Sequence, residues 1–561
     1  LARRRDRRSG PPPSHTRGPP CLEIRAGGAV PDAVVIGAGP NGLVAANLLA
    51  DAGWSVLVLE EQDAPGGAVR SGDYLGPGWT ADLCSAFYPV AAASPVIRGL
   101  GLERHGLHWS RAPTVLAHPL PDGRCATLSQ DALRTAHSLA GFAGADEANW
   151  LALVAGWERL RPRALRALFT PFPPVWDALR WASSAGPGDA LRLARLATVP
   201  ARELGAYLFD GEGGRLLLTG CALHTDLAPE QPGSGLYGML IALLGQTYGF
   251  PVPEGGAGQL TDALVRRLRS RGGQLRCGHR VTQVIVRGGT AVAVRTADGL
   301  EVAGRRAVIA AVDAPQLFTR LVGLAQLPAG TADALRLFHW DHATFKVDWA
   351  LTGPVPWTAA AARSAGTVHL GSSLETMSGY AAQLAAGQVP AEPFLLCGQM
   401  TTADRTRSPT GTEMLWAYTH VPQQPRADAG GAGLTGRWDE REKEAMADRI
   451  EQQLERFAPG LRGLVQRRRI WSPRDLQEHD ANLHGGALNG GTAALHQQLV
   501  FRPFPGLGRA ETPVRRLFLG SASAHPGGGV HGGPGANAAR AALRSRWASR
   551  ATVAAARALL R

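Results

Sequence analysis

Residues 33–60 read AVVIGAGPNGLVAANLLADAGWSVLVLE. The run is a β-α-β unit with a glycine fingerprint at its first turn. Ala33–Ile36 are four apolar residues, enough for a short buried strand. Gly37, Gly39 and Gly42 then supply G-x-G-x-x-G. The first glycine makes the tight turn, the second lets a pyrophosphate approach the backbone, and the third allows helix and strand to pack closely. Residues 41–51 continue as an Ala/Leu-rich helix whose N-terminus aims unpaired N–H groups and a positive dipole end at that pyrophosphate. Gly53 ends the helix, residues 55–59 form the second strand, and Glu60 sits at its tip. A carboxylate there accepts the hydroxyls of an adenosine ribose and disfavours a 2′-phosphate. Spacing alone is weak evidence. Gly431, Gly433 and Gly436 repeat it, but the preceding PQQPRADAG is no buried strand, so that match reads as a loop.

Downstream of the unit, EQDAPGGAVRSGDY (61–74) places Gly66 and Gly67 where backbone comes close again, with Arg70 available to a phosphate. From 145 to 249 apolar residues and Arg recur at helical spacing, as at Trp157, Leu160, Ala164, Leu165 and Leu168. Pro171, Pro173, Pro174 and Pro187 interrupt the pattern, so several short helices are expected, an amphipathic cap over a pocket rather than interfacial helices. Residues 251–273 read as a glycine loop and a helix. Residues 274–312 read as short strands with turns at Gly288-Gly289 and Asp298-Gly299, which returns the chain to the nucleotide domain. Strands at 345–351, 395–400 and 414–420 then alternate with helices at 375–386 and 438–457, a second α+β lobe. Residues 466–510 read as irregular.

The last informative stretch is RRLFLGSASAHPGGGVHGGPGANAARAAL, 515–543. A strand ends at Gly520, and a glycine-rich loop at 527–535 leads into a helix. A strand before the glycines and a helix after them mark a built site rather than a linker, with a second helix N-terminus aimed at a close ligand.

Gross composition excludes other classes. The net charge of +13 resembles a nucleic-acid signal until it is located. Seven Arg against Asp6 and Glu23 lie in residues 1–30, and six Arg with no acid lie in 540–561, so the ends carry eleven of the thirteen charges. The middle is near neutral and no nucleic-acid partner is expected. The cysteines at 21, 84, 125, 221, 277 and 397 form no close pair, which removes a dithiol motif and argues against a zinc site. Isolated thiols fit a reducing compartment. The RRRDRR opening has no apolar stretch behind it, so it reads as neither a secretory nor a twin-arginine leader, and the cytoplasm is the expected location. No run of eighteen apolar residues occurs.

The fingerprint, the PGG segment, the middle glycine-helix-strand block and the HPGGGVHGGPGANAA ending, in that order, resemble the phytoene desaturase and carotenoid/retinoid oxidoreductase family. Within it the likeness is greatest to the branch called pyridine nucleotide-disulphide oxidoreductase domain-containing protein 2. It covers roughly residues 32–545. The resemblance implies an α/β fold: a discontinuous Rossmann-like FAD-binding domain with an α+β substrate domain and a helical cap. The implied layout is a disordered basic arm (1–30), FAD-binding pieces at 31–110, 251–320 and 466–545, a helical cap and first substrate piece at 111–250, the α+β lobe at 321–465, and a basic tail at 546–561. Carried over by resemblance, Gly37, Gly39 and Gly42 take the pyrophosphate and Glu60 the ribose. Gly67 and Arg70 fall beside the flavin, Val281 at the adenine, and Gly520 and Gly533 at the ribityl chain and isoalloxazine. The expected activity is FAD-dependent hydride removal from an apolar substrate, isoprenoids among them. The alternatives are an amine or amino-acid oxidase of the same fold and a non-catalytic flavin-binding regulatory protein. No NAD(P) fingerprint is present, so electrons are expected to leave to oxygen, a quinone or another acceptor. His525 and His531 flank the last glycine loop, and neither is assigned as a base. The basic arm and tail suit peripheral contact with anionic lipid. Oligomeric state and metal binding have no signal in the sequence.

Overall fold

A computed structural model describes residues 30–84, 86–170 and 195–545. The expected basic arm before residue 30, the tail from 546, Cys21 and the four interrupting prolines lie outside the described residues. Twelve strands build the two large sheets. In chain order they are β1 (Ala33–Ile36), β2 (Val56–Leu59), β3 (Thr114–Pro119), β4 (Cys125–Leu128), β5 (Gln274–Arg276), β6 (Ala307–Ala310), β7 (Ala343–Leu351), β8 (Ala365–Leu370), β9 (Leu395–Gln399), β10 (Glu413–Val421), β11 (Val465–Trp471) and β12 (Leu517–Leu519).

The first sheet has the order β12-β6-β1-β2-β5 and every neighbouring pair is parallel. A parallel sheet covered on both faces needs continuous apolar strands, and AVVI, VLVL, AVIA and LFL are fully buried. Its strands come from both ends and the middle of the chain, so the discontinuous Rossmann-like domain is present. Two helices close over it near their N-termini. These are α1 (Pro40–Asp51) and, in the same chain-order scheme, α7 (Gly533–Arg544). Between them in sequence come α2 (Asp146–Phe169), α3 (Ser234–Tyr248), α4 (Gly258–Ser270), α5 (Glu440–Glu455) and α6 (Pro473–His479).

The second sheet runs β11-β7-β10-β9-β8-β3-β4, antiparallel except at the β8–β3 pair. Side chains alternate across it. Phe345, Val347 and Trp349 face the core shared with α5, while Ala350, Met414, Trp416 and Tyr418 face the opposite side. Lys346 and Asp348 fall on that opposite face by the same period.

One expectation needs correcting. Residues 466–510 do not open irregularly: β11 crosses the boundary set at 465 and pairs with β7, and α6 follows it. The strand VQRRRIW was masked by its arginines, which an edge strand can turn to solvent. In the piece set at 111–250, a helical cap with the first part of the substrate domain, β3 and β4 join the substrate sheet. The repeat glycines Gly431, Gly433 and Gly436 do lie in a loop, each with positive φ. No described helix is long and apolar enough to cross a membrane.

Candidate coenzyme site

β1 ends against the glycine turn. Gly37 has φ +93°, a conformation side chains resist, and its N–H donates to Leu59 O at 2.8 Å. Gly39 caps α1 without a side-chain partner, and Pro40 follows at the first helical positions. A Cβ on Gly39 would meet nothing within 4 Å, because the space beside it is open cleft. A Cβ on Gly42 would strike Gly37 O and crowd Ala311. The first-turn N–H groups of α1 therefore face an anion-sized space.

Glu60 stands at the tip of β2. Its Oε2 accepts from the Ala38 N–H at 2.6 Å and its Oε1 from the Gln62 N–H at 3.0 Å. Burial pushes its carboxyl up to about 7, outweighing those two donors and the Arg70 charge. Each oxygen keeps a lone pair for a ribose hydroxyl. Gly37, Gly39, Glu60, Gly67 and Val281 line one cavity of about 220 Å³. A second cavity shares Gly39, Asp480 and Asn482 with it and continues to Gly490, Ser521, Ala522 and Gly527 through His531. Gly39 and Gly529 thus border one cleft, although they come from opposite ends of the sequence.

What brings them together is the crossing of α1 and α7. A Cβ on Gly535 would collide with Asn41 O, and Gly532, at φ +69°, sits against Val44. Glycine at both places lets two helix N-termini meet. The remaining expected residues fall around the cleft rather than in it. Gly520 packs between Ile309 and Ala538, and Gly533 gives its N–H to His531 Nδ1 at 3.0 Å; neither lines the cleft, while their neighbours Ser521 and His531 do. Arg70 does not line it either, but its charge acts on both Glu60 and Asp480. The His531 ring is spent on its own loop, since Nε2 also lies 2.9 Å from Gly528 O. Burial pushes both His525 and His531 down to about 4, so both are neutral near pH 7.

Several residues escaped the sequence reading. Asp480 lines both cavities, accepts from the Asn482 N–H at 3.0 Å, and is pushed upward in pKa by burial against the pull of Arg70. Asp313 caps a short helix after β6, and burial raises it to about 6. The signal for Asp313 was present, an acid just beyond a buried strand as at Glu60. Nothing in the sequence pointed to Asp480.

A long dinucleotide fits this donor set. The uncapped α1 N-terminus, a ribose-accepting carboxylate at one end and a glycine-lined wall at the other suit FAD, whose adenosine Glu60 and Val281 would hold and whose isoalloxazine the 521–531 end would take. Among the described residues no group of three or more His, Cys, Asp or Glu is spaced to hold a metal. Cys84, Cys125, Cys221 and Cys397 are free thiols, and burial pushes Cys84 up to about 12.

The fold and the cleft define a flavin-dependent oxidoreductase with FAD as its cofactor. The chain belongs to the flavin containing amine oxidoreductase family, whose model matches residues 41–543. It is 29% identical to the mouse (Mus musculus) pyridine nucleotide-disulfide oxidoreductase domain-containing protein 2, over 91% of this chain and 93% of that one. It is 26% identical to a lycopene-forming phytoene desaturase of Pseudescherichia vulneris, over 89% of this chain and 96% of that one. An oxidoreductase of Methanosarcina mazei has the same fold, with a TM-score of 0.58 at 16% identity over 91% of this chain and 99% of that one.

Proposed function

We propose that the protein removes a hydride from a C–H bond of an apolar substrate, isoprenoids being the favoured class. The observation that carries this reading is the wall beside the second glycine loop. Val90 stands next to Gly529, and the Phe169 ring meets the His531 ring edge-on at 5.2 Å. Val90 packs in turn against an apolar cluster that includes Leu243 and Leu244 of α3, a helix with no charged residue along its length. Such a wall suits a hydrocarbon and leaves an ammonium without a partner. The likeness to relatives named as phytoene desaturases supports the same reading.

FAD, when bound, supplies the hydride acceptor. The chain's own residues bind and orient. The α1 N-terminus would hold the pyrophosphate and Glu60 the ribose. The α7 N-terminus brings positive dipole to the far end, and the cap residues exclude water. No side chain is assigned as a base, because both loop histidines are buried and His531 is committed to its loop. Anaerobic titration of the FAD-loaded protein with a polyene in micelles is expected to bleach the flavin absorbance, whereas primary amines leave it unchanged. Bleaching by amines and not by polyenes would overturn the proposal.

A further inference from the structure

Arg502 is 2% exposed and has no carboxylate within ion-pair distance among the described residues. Among the described residues buried Arg276 likewise has no ion pair, but most other deeply buried cations are paired. Arg407 meets Asp82 and Asp404, Lys346 meets Asp348, and Arg267 meets Asp51. The Arg502 guanidinium is held by carbonyl oxygens instead. Nε and Nη2 donate to Ala522 O at 3.1 and 2.8 Å, Nη1 donates to Thr492 O at 3.0 Å, and Nη2 also donates to Asn489 O at 2.8 Å. Burying a full charge among neutral dipoles is expensive. The nearest groups of opposite tendency, Tyr237, Asp341 and Asp226, act on it only at a distance.

Its position suggests what the charge is for. Gly490, Ala522 and Gly527 line the far end of the cleft. Arg502 holds Ala522 directly and grips Asn489 and Gly491 on either side of Gly490. A Cβ on Gly527 would lie 3.4 Å from its Cζ. The cation is therefore one residue's thickness behind the wall.

We propose that Arg502 supplies a fixed positive charge behind the flavin end of the cleft, raising the coenzyme's reduction potential and driving hydride transfer toward it. A hydride carries two electrons and one proton, so the isoalloxazine gains one negative charge when it accepts one. A fixed cation stabilises that form over the neutral oxidised ring and needs no reorganisation during the reaction. The inference rests on the reading that the isoalloxazine occupies the 521–531 end.

The test is the two-electron potential of the FAD-loaded protein, read by equilibration with a reference dye during slow anaerobic reduction. Arg502→Met is expected to shift the flavin–dye equilibrium about tenfold toward oxidised flavin, roughly 30 mV for a two-electron couple. Arg502→Lys, which keeps the charge but loses the planar fork, is expected to stay within about twofold of the parent. Arg502→Met matching the parent, or Arg502→Lys falling as far as Arg502→Met, overturns the proposal. Should Arg502→Met fail to retain FAD, Arg502→Gln carries the same comparison. Failure of both neutral variants to hold FAD would assign Arg502 to fastening the loops and would also overturn it. A parent protein that stays colourless after reconstitution sinks the coenzyme-site reading instead, whereas bound FAD with an unmoved potential sinks only the role of Arg502.

Discussion

Alanine at Gly39 and alanine at Gly42 probe different physics three residues apart. At Gly39 the backbone is ordinary, φ −68° and ψ 173°, and the new methyl points into open cleft. Gly39→Ala should leave the apoprotein's urea midpoint unchanged while weakening FAD binding by about tenfold or more, since a methyl displaces a phosphate oxygen from the N–H groups. At Gly42 the methyl meets Gly37 O, so Gly42→Ala should destabilise even the apoprotein by about 1–3 kcal/mol. Equal apoprotein stabilities for the two variants would refute this assignment of the fingerprint. Glu60 makes a pH prediction at the same scale. Its folded pKa is raised from 4.5 to about 7, so the folded state holds the extra proton across that window. Its contribution to stability is full below pH 4.5 and is lost as pH rises through 7, by at most roughly 3 kcal/mol. Glu413, Asp313 and Asp341 are also raised, to about 7, 6 and 6, so the measurement is the difference between the parent and Glu60→Gln. Apoprotein unfolding curves from pH 4 to 8 should be flatter for the variant, and parallel curves would count against a protonated Glu60.

Between elements, the joint that decides rigidity is ionic. Asp82, on a short strand beside the nucleotide domain, accepts from Ser71 Oγ and the Ala257 N–H and pairs with Arg407 at 2.8 Å. Arg407 pairs with Asp404 at 2.9 Å, which also accepts from the Gly255 N–H. All three charges are buried, so one cation serves two acids from different parts of the chain. Arg407→Met strands both carboxylates and should cost about 3–5 kcal/mol in urea unfolding. Adding Asp82→Asn should restore part of that loss, and a double variant no more stable than the single one would argue against a shared charge cluster. None of this was legible in the sequence. A pair separated by more than three hundred positions leaves no local pattern, whereas α5 was readable because Met446, Ala447, Ile450 and Leu454 repeat at helical spacing. β11 shows the opposite failure: three consecutive arginines and a register shift near Val465 conceal a strand that only pairing with β7 makes plain.

For the whole molecule, the glycine turns were legible and their meeting was only half so. Each turn announces itself locally, because positive φ and close backbone approach demand glycine. That Gly39 and Gly529 face one space depends on five strands from distant segments stacking into a single parallel sheet, which resemblance implied and spacing alone did not establish. Asp480 and Arg502 stayed hidden for the same reason, since their roles come from what the fold sets beside them. This construction has a mechanical consequence. A coenzyme that touches the first turn, the Val281 strand and the last glycine loop is a tie across three separate stretches of chain. At one hundred times its Kd it should stabilise the native state by about 2.7 kcal/mol, and the gain should not be local. In hydrogen–deuterium exchange, adding FAD to the apoprotein should slow exchange together at 37–42, at 281–282 and at 521–531. These segments border one cleft, and opening any of them releases the same ligand. Protection confined to 37–42 would mean that the coenzyme is held by the first turn alone and that the second glycine loop serves only to pack α7 against α1.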